Sequence, residues 1–167
     1  MKVTVRHTFN CTPETFWKKI FFDRSYNEAM FLGEMKFPSY ELAEQKESPE
    51  RVERKVRVTP PQKAPEIIRK LIKGTLSYEE VGTWTAQDGL YRFKTITSIL
   101  TDKISITGVI RAEPAGEGKM VRRAEMEISV NVMLVGGTVE KFLAAELQSN
   151  YDVAAVFTNR WIAEHPL

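Results

Sequence analysis

The chain has 167 residues and a mass of 19.2 kDa, the size of one ordinary domain able to bury an unaided core. Its 24 Lys and Arg against 22 Asp and Glu leave a net charge of +2, and charge scattered over 28% of positions gives no electrostatic footprint for nucleic acid. A hydrophobic fraction of 43% excludes a disordered chain, apolar runs of a few residues exclude a membrane-spanning helix, and a single cysteine, Cys11, excludes an internal disulfide.

At the N-terminus, Val3, Val5, His7 and Phe9 alternate with Lys2, Thr4, Arg6 and Thr8. That period predicts a half-buried strand in place of a secretory signal, so the expected location is the cytoplasm. Thr12-Pro13-Glu14 supplies an N-cap, a first-turn proline and a first-turn acid, which predicts a short helix over 13–21. A second follows over 25–32, closed by Gly33. Two strands come next, over 36–46 and 51–59, turning at Ser48-Pro49-Glu50. Pro60-Pro61 ends the latter, and a two-turn helix follows from Pro65, with Gly74 after its end. Four further strands are predicted over 75–85, 90–100, 103–113 and 119–134, with hairpin signals at Asp88-Gly89 and Ala115-Gly116-Glu117-Gly118. Beyond Gly136-Gly137, the residues Val139, Leu143, Leu147, Tyr151, Ala154, Phe157 and Trp161 recur every three or four positions. They predict one amphipathic helix over 138–163. With no internal repeat and no linker, residues 1–167 read as a single domain.

Strands joined by hairpins form an antiparallel sheet, because parallel neighbours need crossover helices. The expected class is therefore α+β: a curved seven-stranded antiparallel sheet wrapped around the terminal helix, two short helices between the first and second strands, and the first strand beside the seventh. The opening "FNCTPETFWKKI", the long antiparallel run and the "VGGTVEKFLAAEL" lead into the last helix resemble the START-related, Bet v 1-like (SRPBCC, helix-grip) superfamily, and within it an uncharacterised bacterial branch. The resemblance covers the whole chain in element order. It implies a cavity between sheet and helix that holds a lipid, sterol, polyketide or similar molecule.

Physical reasoning supports such a space independently, since one helix fills a curved sheet incompletely. An empty apolar void of roughly 300 Å³ would cost about 7 kcal/mol, close to the whole stability of a domain, so it must be filled by side chains, water or a ligand. Strand parity and the helical stripe nominate a ligand-contacting wall. It comprises His7, Arg54, Tyr78, Glu80, Tyr91, Phe93, Ile106, Met126 and Ile128 from the sheet, and Leu143, Leu147 and Tyr151 from the last helix. Arg54 on an apolar face needs a partner, and Glu44 and Glu80 share the inward parity; a bulge reversing that parity would instead put Arg54 in solvent. The apolar stretch holding Met30, Phe31, Met35 and Phe37 reads either as a portal over the cavity mouth or as ordinary packing against Phe157 or Trp161.

His7 is either a general base or a satisfied core residue. Two histidines and one cysteine are too few for a His/Cys metal site, and no nucleophile elbow or phosphate-cradling loop is present, so neither a catalytic residue, a metal nor a cofactor is assigned. Backbone N–H groups at Val135-Gly136-Gly137-Thr138 could hold an anion, but a sharp turn is the plainer role. The expected function is binding or transport of a hydrophobic small molecule, without nucleic acid or strong membrane attachment and with no protein partner identified. The alternatives are a cyclase- or hydrolase-type enzyme using a cavity acid or base, and a protein-interaction domain with a vestigial cavity.

Overall fold

The computed structural model describes residues 1–167. Strand β1 (Lys2–Phe9) leads to α1 (Pro13–Phe16), which runs on through a π-helical turn at Trp17–Phe21. Next, α2 (Arg24–Glu28) continues through a second π turn at Ala29–Glu34. Then come β2 (Ser39–Glu47), β3 (Arg51–Thr59), α3 (Glu66–Leu71), β4 (Tyr78–Thr85), β5 (Leu90–Thr97), β6 (Ile104–Pro114), β7 (Met120–Val130) and α4 (Gly136–Glu164). The starts of the first two helices are chemically set: the Thr12 hydroxyl accepts from the Thr15 amide, and the Asp23 carboxylate from the Tyr26 amide.

All seven strands pair antiparallel in one sheet ordered β1-β7-β6-β5-β4-β3-β2, with α4 packed on it. β1 therefore joins the far edge beside β7, as element order implied. Register aligns the inward residues into rows across the strands. One row runs Arg54, Gly82, Phe93, Gly108, Met126, Val3; the next runs Val52, Trp84, Tyr91, Ile110, Ala124, Val5. The glycines in the first row are steric necessities. A Cβ on Gly82 would lie 2.2 Å from the Tyr91 ring, and one on Gly108 would lie 2.3 Å from the Phe93 ring. Both aromatic rings of β5 thus lean over a neighbouring strand stripped of side chain.

Several strands are shorter than periodicity predicts, and backbone geometry explains why. Lys36, Leu100 and Leu134 all take positive φ, which no strand continues through. β2 therefore starts at Ser39, β5 stops at Thr97 and β7 stops at Val130. Helix α4 starts at Gly136, where a Cβ would lie 2.5 Å from the Val130 carbonyl oxygen; the close approach there makes the glycine pair a turn device. No helix is long and apolar enough to cross a membrane.

The core divides in two. Near the C-terminal end of α4, Ala154, Ala155 and Phe157 join Phe9, Phe16, Trp17, Ile20 and Tyr91. Near its N-terminal end, Val139 joins Ile68, Ile72, Ile104, Ile128 and Val130. Between them, Leu143, Leu147 and Tyr151 face the sheet yet remain only half-buried. Replacing Gly82 by alanine drives a methyl group into the Tyr91 ring and is expected to destabilise the protein by about 1–3 kcal/mol. Urea unfolding followed by tryptophan fluorescence measures the loss against wild type.

Candidate functional site

The gap under the middle of α4 is a cavity of about 380 Å³. Its sheet wall carries Arg54, Tyr78, Glu80, Phe93, Thr95, Ile106, Ile110, Arg122 and Met126, and its helix wall Leu143, Leu147, Tyr151 and Ala154. One end is closed by Phe16, Phe21, Tyr26, Met30, Phe31 and Met35 from the two π-turned helices. The other end is bounded by the loop from Pro60 to Ala64, by Arg69 and Ile72, and by Phe142, Glu146 and Asn150 of α4. Gln62, Lys63 and Arg69 are exposed and mark the mouth. There Gln62 fastens the loop to the approach of β4: its amide nitrogen donates to the Pro60 and Leu76 carbonyls at 2.7 and 3.1 Å, and its oxygen accepts from the Leu76 amide at 3.0 Å.

Arg54 is buried, and Glu80 is its partner. Nη2 donates to Glu80 Oε1 at 3.0 Å, and the Tyr91 hydroxyl donates to the same oxygen at 2.8 Å. Nη1 donates to the Phe21 carbonyl at 2.9 Å, and the guanidinium lies 4.2 Å from the Phe21 ring centre. The free carbonyls at the end of the first helix thus receive a cation, while Gln45 caps the next one at Phe22. Burial works against the charge on Arg54, but Tyr91 and Glu80 outweigh it and hold its pKa above the ordinary value. Glu44 is not a partner. A β-bulge between Leu42 and Glu44 reverses parity in β2, sending Glu44 out to Lys46 and leaving β3 and Arg54 unaffected.

The structure brings Arg54, Tyr78, Glu80, Phe93, Ile106, Met126, Leu143, Leu147 and Tyr151 to the cavity, together with Met30, Phe31 and Met35. Four nominated residues lie elsewhere. Tyr91 stands behind the wall, fully buried between Phe21, Phe22 and Phe93. Ile128 is enclosed in the core under the start of α4. Phe37 packs edge-on against Phe31, outside the lining. His7 is consumed by neighbours: Nδ1 accepts from Arg122 Nη2 at 3.0 Å, so Nε2 carries the proton and donates to Asp152 Oδ1 at 2.8 Å. The aromatic packing expected of Phe157 and Trp161 is made by Tyr26, whose hydroxyl also bonds Thr158 at 2.6 Å. The second helix thus anchors to α4 at one end and lines the cavity at its exit.

The nominated wall left out Thr95, Ile110, Ala154 and, chemically most telling, Arg122. Arg122 follows Met126 and Ala124 backwards along β7 at the same two-residue step, so the signal was present in the alternation. Tyr78 and Tyr151 are held protonated, their pKa values raised first by burial and then by the nearby Glu80 carboxylate. They therefore offer O–H donors to the cavity. Among the residues present, no group of three or more His, Cys, Asp or Glu side chains is placed to hold a metal ion.

No curated protein matches the chain. Solved structures do, over its full length. The TTHA0849 protein of Thermus thermophilus superposes with a TM-score of 0.66 at 14% identity, covering 100% of both chains. A START superfamily protein of Mycobacterium smegmatis gives 0.61 at 12%, covering 98% of this chain and 99% of the other. The Zhui aromatase/cyclase of Streptomyces sp. R1128 gives 0.62 at 12%, covering 99% and 96%. At such identities the likeness establishes the fold, a START-like helix grip. Residues 4–162 match one family along almost the entire chain, and the protein belongs to that family, DUF2505, described as proteins of unknown function.

Proposed function

We propose that the protein binds and carries a hydrophobic small molecule in the cavity beneath α4. The observation that supports this most is the half-buried stripe of Leu143, Leu147 and Tyr151, which faces inward across a space of about 380 Å³. Left empty, an apolar void of that size would cost on the order of 9 kcal/mol, comparable with the stability of a whole domain. Most of the lining is apolar, and the methionines and phenylalanines of the π-turned exit suit an adaptable closure around guests of varied shape. Binding is favoured over acid–base catalysis because the chemistry-bearing groups are already engaged. Both nitrogens of His7 are hydrogen-bonded, to Arg122 and Asp152, and one oxygen of Glu80 accepts from two donors.

Native mass spectrometry of the protein after exposure to a lipid extract is expected to show a defined adduct of a few hundred daltons. Leu147→Trp fills the space and is expected to weaken uptake of a neutral fluorescent probe, N-phenylnaphthylamine, by about tenfold or more while keeping or raising thermal stability. Unchanged uptake in that variant would place the guest elsewhere.

The wall itself depends on Arg54 and Glu80. Arg54→Met strands a carboxylate in a largely buried site and is expected to cost about 3–5 kcal/mol. Arg54→Met combined with Glu80→Met removes both charges and should recover most of that loss. A double-mutant cycle in urea measures the coupling, and additive single effects would show the pair to be energetically idle.

A further inference from the structure

We infer that the guest carries a carboxylate, and that Arg122 is the residue that receives it. This rests on the proposed binding function and adds the chemical class of the ligand. Arg122 is 6% exposed and lines the cavity from β7. A buried guanidinium ordinarily has an anionic partner, because an uncompensated charge in a low-dielectric interior is costly. Three arginines in this chain have a buried Nε without a hydrogen-bond partner: Arg54, Arg122 and Arg123. Arg54 is paired with Glu80, and Arg123 with Glu113 and Glu125. Arg122 has no carboxylate within ion-pair distance. Its protein partners are neutral, the His7 ring and the Tyr151 carbonyl at 3.0 and 3.2 Å, and both are met by Nη2.

The acid that acts on Arg122, Asp152, stands on the far side of His7 and is half-exposed to solvent, where water weakens its effect. The rings of Phe9 and Tyr151 lie 5.0 and 4.7 Å from the guanidinium carbon and stabilise a cation without neutralising it. Burial pulls the Arg122 pKa below the ordinary value. An arginine nevertheless stays protonated at neutral pH.

The rest of the lining has the same bias. Arg54, Lys63, Arg69 and Arg122 face Glu80 and Glu146, two more cations than carboxylates. Once Arg54 and Glu80 cancel, the interior holds one unmatched positive charge. The protonated Tyr151 phenol belongs to the side chain lying over Arg122, and Tyr78 faces the same cavity. A ligand with an apolar body and one terminal carboxylate completes this arrangement: the carboxylate meets Arg122, and the body lies along Met126, Phe93, Ile106 and Leu147. A charge-assisted hydrogen bond replaces neutral partners, which favours the acid over its uncharged analogue.

The test uses the full chain and three probes of equal length, dodecanoate, dodecanol and dodecyltrimethylammonium, each displacing N-phenylnaphthylamine. Dodecanoate is expected to bind about tenfold or more tighter than dodecanol, in line with a charge-assisted hydrogen bond, and the cation weakest of all. In Arg122→Met the advantage of the acid over the alcohol should vanish. Equal binding of acid and alcohol by the wild type would overturn the inference and leave the cavity reading standing. A persistent preference for the acid in folded Arg122→Met would also overturn it, by assigning the head group to another cation. Failure of all three probes, with no uptake of the naphthylamine, would overturn the cavity reading and this one together. Should Arg122→Met fail to fold, the ranking of the three probes on the wild type decides the matter.

Discussion

A straight helix cannot remain in contact along its whole length with a sheet that curls around it. Helix α4 touches down at Val139 and again from Ala154 to Phe157, each time into a separate apolar cluster. The span between them, about four turns, packs only partly through Leu143, Leu147 and Tyr151 and borders a gap. Everything else about the molecule is arranged around that gap. The strand rows supply a floor, the two π-turned helices close one end, and the loop fastened by Gln62 frames the other. A domain of this size could have filled the space with its own aromatics; instead its largest rings are drawn into the end cluster, where Phe9, Phe16, Trp17, Phe21, Phe22 and Tyr91 stack on one another. The concentration of aromatic bulk at one end leaves the middle of the sheet with Thr95 and Ile106, which are small or slender, beside Phe93 lying over Gly108.

The two buried arginines show how the same residue type serves opposite ends. Arg54 belongs to the scaffold: it ties β3 to β4 through Glu80 and to the first helix through the Phe21 carbonyl, and its ring contacts complete the end cluster. Gly82 makes this possible, because only a strand without a side chain at that position lets the Tyr91 ring lie across it and bring its hydroxyl to Glu80. Arg122 is held by neutral groups and by the faces of two rings, which fix its orientation without cancelling its charge. His7 orients Arg122 through Nδ1 while Asp152 fixes the tautomer. A residue that looked like a candidate base in isolation becomes a positioning residue once its neighbours are known.

Period-two alternation made the sheet legible, since β1, β3, β5, β6 and β7 each present an unbroken inward set and hairpin turns dictate their neighbours. It also carried most of the cavity wall, including the inward Arg54, and left Glu44 and Glu80 as its candidate partners. It misled about Glu44 because a bulge adds one residue to β2 and flips every side chain after it, an insertion that leaves no mark in composition. Parity says which face a side chain occupies but not whether the space in front of it is open. Tyr91 and Ile128 face inward as expected and are nevertheless sealed, one by the aromatic cluster and the other by the start of α4. The role of Gly82 was illegible for a related reason: it depends on the direction in which a ring on the adjacent strand leans.

The proposed guest would couple its own binding to the stability of the fold. A ligand that binds only the folded chain adds its binding free energy to the folding balance in proportion to the logarithm of its concentration over its dissociation constant. Two features of the interior are unfavourable in isolation, the unfilled space under Leu143, Leu147 and Tyr151 and the unmatched charge of Arg122, and they lie in one cavity. The proposed amphipathic guest would relieve both at once, its apolar body adding dispersion contacts and its head group supplying an anion. Neither relief requires a proton transfer or a covalent step. The same geometry would orient the proposed guest, because Arg122 is the buried cation of the lining without a carboxylate, Arg54 being paired with Glu80 and Lys63 and Arg69 lying exposed at the mouth.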